Sequence, residues 1–113
     1  MPVPGKGRFP PPDDICRLGA ADLAGAISNR TYSAADVMKA VLARIDEVNS
    51  HVNAIVSLRD REELLREAGD ADLALVKGGS AGPLFGVPMA IKDLAQTKGL
   101  RTTFGSPIFS NNV

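Results

Sequence analysis

The chain has few of the residues on which several common chemistries depend. Tryptophan is absent, and one tyrosine and four phenylalanines are the only aromatics, too few for a platform on which nucleic-acid bases stack. Cys16 is the one cysteine, which excludes an intrachain disulfide and a cysteine-based zinc site. His51 is the one histidine. Together the two lone residues argue against a metal cluster, and against a Ser-His-Asp arrangement with its histidine downstream of the serine. Charge of one sign does not accumulate: 13 basic residues offset 13 acidic ones for a net charge of zero. A nucleic-acid partner normally leaves a basic stripe, because neutralising phosphates supplies most of that affinity, so no direct nucleic-acid contact is expected. No apolar run reaches membrane-spanning length, and the start Met1-Pro2-Val3-Pro4-Gly5-Lys6 has no hydrophobic signal core. The expectation is a soluble, cytoplasmic protein with no membrane contact and no cofactor.

What is present is enough for one ordinary folded domain: 113 residues, 44% hydrophobic and 23% charged. Five of the eight prolines fall at positions 2, 4, 10, 11 and 12. Residues 1–19 therefore read as a Pro-rich arm, its first 13 residues extended or disordered. The arm is either a plain tail or a polyproline II ligand for a partner domain. Residues 20–113 carry the folding pattern. A short helix is expected over 22–29, with Leu23 and Ile27 on one face. Ser33 and Asp36 then form a capping box that opens a longer helix. Val37, Val41, Ile45 and Val48 follow at helical spacing, Met38 and Leu42 widen the stripe, and Asn49-Ser50 closes it. Residues 52–58, rich in β-branched side chains, read as a strand or a buried extended connector. Another helix is expected over 60–76, capped by Asp60 and Glu63, with Leu64, Leu65, Ala68, Ala71 and Leu75 on its apolar side. Gly69 inside it costs about 1 kcal/mol relative to alanine. Lys77-Gly78-Gly79 supplies a cation and then a glycine stop. A glycine-rich connection follows, then the apolar run Val87-Pro88-Met89-Ala90-Ile91, which ends abruptly at Lys92-Asp93. The ending Ser110-Asn111-Asn112-Val113 offers no cap or closing element and reads as cut rather than finished.

Gly78-Gly79-Ser80-Ala81-Gly82 matches the G-x-S-x-G string of a nucleophile elbow, but a helix precedes it where a strand is required, and no histidine follows. It also lacks the Gly-Lys-Ser/Thr that closes a phosphate cradle. Lys92 admits two readings. In one, its stem lies along an apolar edge with the ammonium in water. In the other, the run before it is an interior strand that delivers the amine into a dry site, where burial favours the neutral, proton-accepting form. Spacing leaves both open.

The segments GPLFGVPMAIKDL and TKGLRTTFGSPIF resemble the lysine-bearing part of the amidase signature family. The resemblance rests on Gly82, Pro83, Leu84, Gly86, Val87, Pro88, Ile91, Lys92, Asp93, Gly99, Thr102, Thr103, Gly105 and Ser106. The upstream order of helices, with an N-A-I-V connector at positions 53–56, extends it over about residues 20–113. Leu94 departs from it, where asparagine is common, and so does Phe85, where histidine is frequent. The resemblance implies an α/β fold, namely the N-terminal part of an α/β/α sandwich around a mixed sheet. It further implies hydrolysis of a small-molecule amide by a Ser-cisSer-Lys triad through an acyl-enzyme, with Lys92 as the base. Both serines and the oxyanion loop would lie outside these residues: Ser80 precedes the lysine, and Ser106 and Ser110 follow it too closely. Thr102, Thr103, Gly105 and Ser106 would form a turn near the site, either supporting the lysine or simply satisfying local backbone. Asp93 would orient Lys92 or cap the turn after the strand. Asp93, Thr103 and Ser106 are therefore candidates for site support, while Cys16 and His51 are structural or exposed. The expected partner is a second copy or the remainder of the enzyme, and the fragment alone should be inactive. Two other readings stand beside this one. One is a component of an amidotransferase that works on misacylated tRNA, and the other is a non-enzymatic helical module with the arm as its contact.

Overall fold

A computed structural model of the protein describes residues 13–78 and 82–113. The elements in order are α1 (Asp14–Arg17), α2 (Ala20–Ser28), α3 (Ala34–Val52), α4 (Arg61–Val76) and a 3-10 turn at Pro107–Phe109. No strand occurs among the described residues, so the α/β arrangement expected from the resemblance is not what this stretch forms. The reason is physical. A strand exists only where a neighbour takes its backbone hydrogen bonds, and neither apolar run expected to be a strand meets one.

The longest helix starts as its sequence requires. Ser33 Oγ accepts from the Asp36 amide at 2.9 Å, and the Asp36 carboxylate accepts from the Ser33 amide at 3.4 Å, so aspartate completes the box. The two amides between them, of Ala34 and Ala35, donate to the Asp72 carboxylate of α4 at 2.7 and 3.1 Å. All four amides that a helix start leaves without an internal acceptor are thus satisfied, two of them from 38 and 37 residues away. At the other end Asp46 of α3 pairs with Arg61 at the start of α4. Start against end at both contacts makes the two helices antiparallel.

α4 begins as expected, with Asp60 accepting from the Glu63 amide at 3.2 Å. The Glu63 side chain takes no part in the cap and pairs instead with Arg59 at 2.7 Å. The cation at the end of α4 also comes from elsewhere. Lys77 is the C-cap residue, while Arg30, in the turn after α2, donates to the Leu75 carbonyl at 3.1 Å. Asn49-Ser50 does not close α3, which runs on to Val52 with Asn53 in the left-handed conformation as its C-cap. Asn49 grips the chain beyond the helix: its amide nitrogen donates to the Ile55 carbonyl at 3.0 Å and its oxygen accepts from the Ile55 amide at 2.9 Å. Those two bonds occupy the backbone of Ile55 that a strand would need. Residues 53–60 are irregular, and Val56 and Leu58 are exposed rather than buried.

Leu23 and Ile27 of α2 and Val37 of α3 form the core, with Ile15, Leu18, Tyr32, Val41, Leu75 and Val87 packed around them. α1 is built from the end of the expected arm, capped by Asp13 at 2.8 Å from the Cys16 amide. The polyproline II expectation falls on residues 1–12 and lies outside the described residues, as does part of the Gly78–Gly82 string. Gly86 brings the loop after α4 back onto the core with φ +85°, where a Cβ would stand 3.0 Å from Ile27 Cγ2. Among the described residues no helix is long and apolar enough to cross a membrane.

Gly86→Ala combines a left-handed backbone with a steric overlap and is expected to cost about 1–3 kcal/mol in chemical denaturation. Gly25→Ala, in open space inside α2, is expected to stabilise by up to about 1 kcal/mol in the same assay. Asp72→Ala strands two helix-start amides and should lower stability by about 1–2 kcal/mol. A loss smaller than that of an exposed-site alanine control would show that Asp72 does not cap α3.

Candidate active site

Lys92 is reached by a path that leaves the core. Val87 is packed against it, but Met89 is 70% exposed, Ile91 57%, and Lys92 itself is exposed. The run 87–91 is irregular and is not the interior strand that the buried-lysine reading requires. The Lys92 carbonyl accepts from the Ala95 amide at 3.0 Å, closing a turn. Among the described residues its ammonium makes no hydrogen bond or ion pair.

The residue after it is tied down firmly. The Asp93 carboxylate accepts from the Thr103 amide at 2.7 Å and, through its other oxygen, from the Thr103 hydroxyl. The Asp93 carbonyl accepts from the Phe104 amide at 3.1 Å. Asp93 therefore binds the second turn and not Lys92. Its hydrogen bonds from the Thr103 hydroxyl and then the Thr103 amide hold the carboxyl below the ordinary aspartate range. The Gly105 amide and the Arg101 charge add to this, against an opposing effect of desolvation. Thr102 is 3% exposed, with its hydroxyl donating to the Ala95 carbonyl at 3.4 Å. The Thr102 amide donates to the Asn112 carbonyl at 2.9 Å, and Asn112 Nδ2 returns a bond to the Thr102 carbonyl at 3.0 Å.

The two turns thus form a clasp across residues 92–112. Phe104 and Gly105 are both left-handed, with φ 54° and 68°, and the Phe104 ring meets Phe109 edge-on at 5.4 Å. Of the candidate support residues, Asp93 and Thr103 are in direct contact. The Ser106 amide donates to the Thr103 carbonyl at 3.0 Å, but its hydroxyl accepts from the Ile108 amide at 3.4 Å, capping the 3-10 turn. Asn112 and Phe104 complete the clasp, although neither carries a periodicity or motif that singles it out in sequence.

Cys16 is half-buried and its Sγ donates to the Ala40 carbonyl at 3.6 Å. Burial, then the bond and charge of Asp13, push its thiol up, away from the reactive thiolate. His51 is exposed in the last turn of α3. Among the described residues no group of three metal-ligating side chains occurs. An apolar groove of about 320 Å³, lined by residues of α1, α2 and α3 and the start of the following connector, includes no residue of the lysine segment.

The family model for Amidase matches residues 36–113, which contain Lys92 and the whole clasp. An acylamidase of Rhodococcus erythropolis is 38% identical over 96 residues, which is 85% of this chain and 20% of that protein. A glutamyl-tRNA(Gln) amidotransferase subunit from Streptomyces avermitilis is 42% identical over 95 residues, 84% of this chain and 19% of that protein. The corresponding protein of Acinetobacter baumannii is 39% identical over 98 residues, 87% and 20% respectively. The chain spans about a fifth of the length of these relatives.

A carboxyl held low by partners present only in the folded state stabilises that state above its unfolded value of about 3.9. The contribution fades as the pH falls through the lower folded value. An NMR titration is expected to show Thr103 and Phe104 amide shifts moving below that pH, with the movement absent in Asp93→Asn. Thr103→Ala should bring the Asp93 titration up toward the ordinary value. An unchanged midpoint would mean that Thr103 is not its principal partner.

Proposed function

The chain belongs to the amidase family, and from that premise we propose that it is the lysine-bearing portion of an enzyme that cleaves a carboxylic amide. Lys92 is its general base. The observation that carries this reading is the position of Lys92 at the end of an apolar run, inside the stretch matched by the family model and next to a clasp that fixes Asp93. In the proposed reaction the neutral Lys92 amine takes a proton from a bridging serine, which takes one from the nucleophilic serine. The nucleophile attacks the amide carbonyl, the amine departs with the proton that Lys92 returns through the bridging serine, and water releases the acid from the acyl-enzyme. Both serines and the oxyanion donors come from sequence outside these 113 residues, as does most of the mixed sheet of the α/β/α sandwich. Asp93, Thr103 and Ser106 support the lysine by holding the backbone on its C-terminal side. The cytoplasmic setting and a small-molecule amide substrate belong to the same proposal.

Lys92 is exposed in this stretch, and the serines that the proposed reaction needs are not part of it. The 113-residue chain by itself should therefore show no amide hydrolysis. A second reading is favoured by the 42% identity to an amidotransferase subunit: the same lysine chemistry directed at a glutamine amide, within a multi-subunit assembly. Association with further subunits, or activity on glutamine, would select it. A folded, monomeric chain that leaves an amidase-family remainder without effect would instead favour the non-enzymatic helical module.

The deciding experiment places this chain's residues in the R. erythropolis acylamidase, in place of the 96 residues that align with them. Lys92→Met in that chimera is expected to lower kcat by about 10²–10⁴-fold, with KM little changed and Ser110→Ala without effect. Activity within about tenfold of the parent chimera after Lys92→Met would remove the lysine from the mechanism.

A further inference from the structure

We propose that the arm of residues 1–12 turns back along the molecule and seats Phe9 in the apolar groove between α1 and the second half of α3, where it covers Cys16. The inference does not depend on the amidase reading, because the lysine segment contributes no residue to this groove.

The groove follows α3 from Val41 to Val52, a length of about 16 Å at the rise of an α-helix. Leu18, Ile45, Val48 and Ile55 are part of its wall. Its longer polar side chains are engaged elsewhere. Arg44 pairs with Glu47 at 2.9 Å, and Asn49 holds both backbone groups of Ile55. What the groove offers a visitor is therefore apolar. Val52 is 53% exposed, and Ile45 and Val48 are only half-buried. A continuous apolar surface of this kind on the outside of a helical core marks a place where something docks.

Connectivity and chemistry identify the occupant. Asp13 caps α1, and Ile15 and Cys16 of that short helix line the groove, so residues 1–12 join the molecule at the groove's edge. They carry one aromatic residue, Phe9, together with Val3, five prolines, Lys6 and Arg8, and no acid. Pro10-Pro11-Pro12 stand between Phe9 and Asp13. Proline restricts the chain to extended forms, and at about 3 Å per residue the ring falls within about 12 Å of Asp13. That reach takes it into the stretch of the groove beside α1. Charge agrees with the placement: Asp13 and Glu47 both act on Cys16 and Arg44 alone opposes them, while the arm brings two cations. A tether this short holds the ring at a local concentration in roughly the millimolar range. A second copy of the chain competes only when its own concentration is comparable.

Cys16, the one cysteine, reports on the groove it lines. In the 113-residue chain, Phe9→Ala or removal of residues 2–12 is expected to speed alkylation of Cys16 by iodoacetamide about tenfold at fixed pH. Loss of Lys6 and Arg8 alone would push the thiol up and slow the reaction, so faster alkylation of the shortened chain reports uncovering and not charge. The second measurement needs only the point variant: the Ile45 and Val48 methyl signals should carry a ring-current shift in the parent chain and lose it in Phe9→Ala. Alkylation rates and methyl shifts that stay the same in both variants would overturn the proposal and leave the groove to sequence outside these residues. Protection of Cys16 that rises with chain concentration, with ring-to-methyl contacts between differently labelled copies, would overturn it in favour of a second copy. Faster alkylation together with the lost ring-current shift, both independent of concentration, is the result expected.

Discussion

The start of α3 is the junction on which the rest of the molecule depends. A helix start presents four amides without internal acceptors, and this one is completed by Ser33, by Asp36 and by Asp72, which reaches across from α4. The two bonds from Asp72 set the register of α3 against α4. The pair between Arg61 and Asp46 holds the other end. With that register fixed, Ala34 lies beside Ile27, and Gly86 can approach both closely only because it has no side chain. Val87 then enters the core, and the chain leaves it toward Lys92. The position of the proposed base therefore traces back, contact by contact, to a carboxylate on a neighbouring helix.

Two parts of the chain have reached different degrees of completion. The helical part has a closed core of Leu23, Ile27 and Val37, and its helix ends find partners at a distance, including Arg30 on the last turn of α4. The part after Val87 is locally ordered by polar contacts instead: Asp93 with Thr103, Thr102 with Asn112, and the Phe104 and Phe109 rings on each other. Those contacts fix the shape of a clasp but bury little apolar surface, and Met89, Ile91 and Ile108 remain in solvent. Polar ties of this kind can hold a residue in place without drying its surroundings. Lys92 has fixed neighbours along the chain and water around its amine, and an acid–base role depends on the second.

What can be read in advance follows the range of the forces. The helices are legible because caps and apolar periodicity act over three or four residues: the capping box at Ser33 and the cap at Asp60 form at the residues that announce them. Asn49 reads wrongly as a stop because a polar side chain near a helix end has two uses, and only the position of Ile55 reveals which one applies. Neither run for which a strand is one of two open readings forms one among the described residues. Residues 52–58 and 87–91 have the β-branched or apolar character of strands, but a strand's hydrogen bonds belong to its neighbour, and periodicity says nothing about whether a neighbour is present. The resemblance names Asp93, Thr103 and Ser106 together, whereas in the structure Asp93 bonds Thr103 and the Ser106 hydroxyl caps the 3-10 turn.

Local spacing is enough to specify the helices and their starts, and a motif taken residue by residue is enough to give the family. Packing in three dimensions made the remaining choices: that Asp72 caps α3, that Arg30 serves the end of α4, that Gly86 must be bare, and that Asp93 holds Thr103 rather than Lys92. Each of those choices joins groups ten or more residues apart. Such pairs are selected by how closely the folded elements approach one another, a quantity that no local pattern contains.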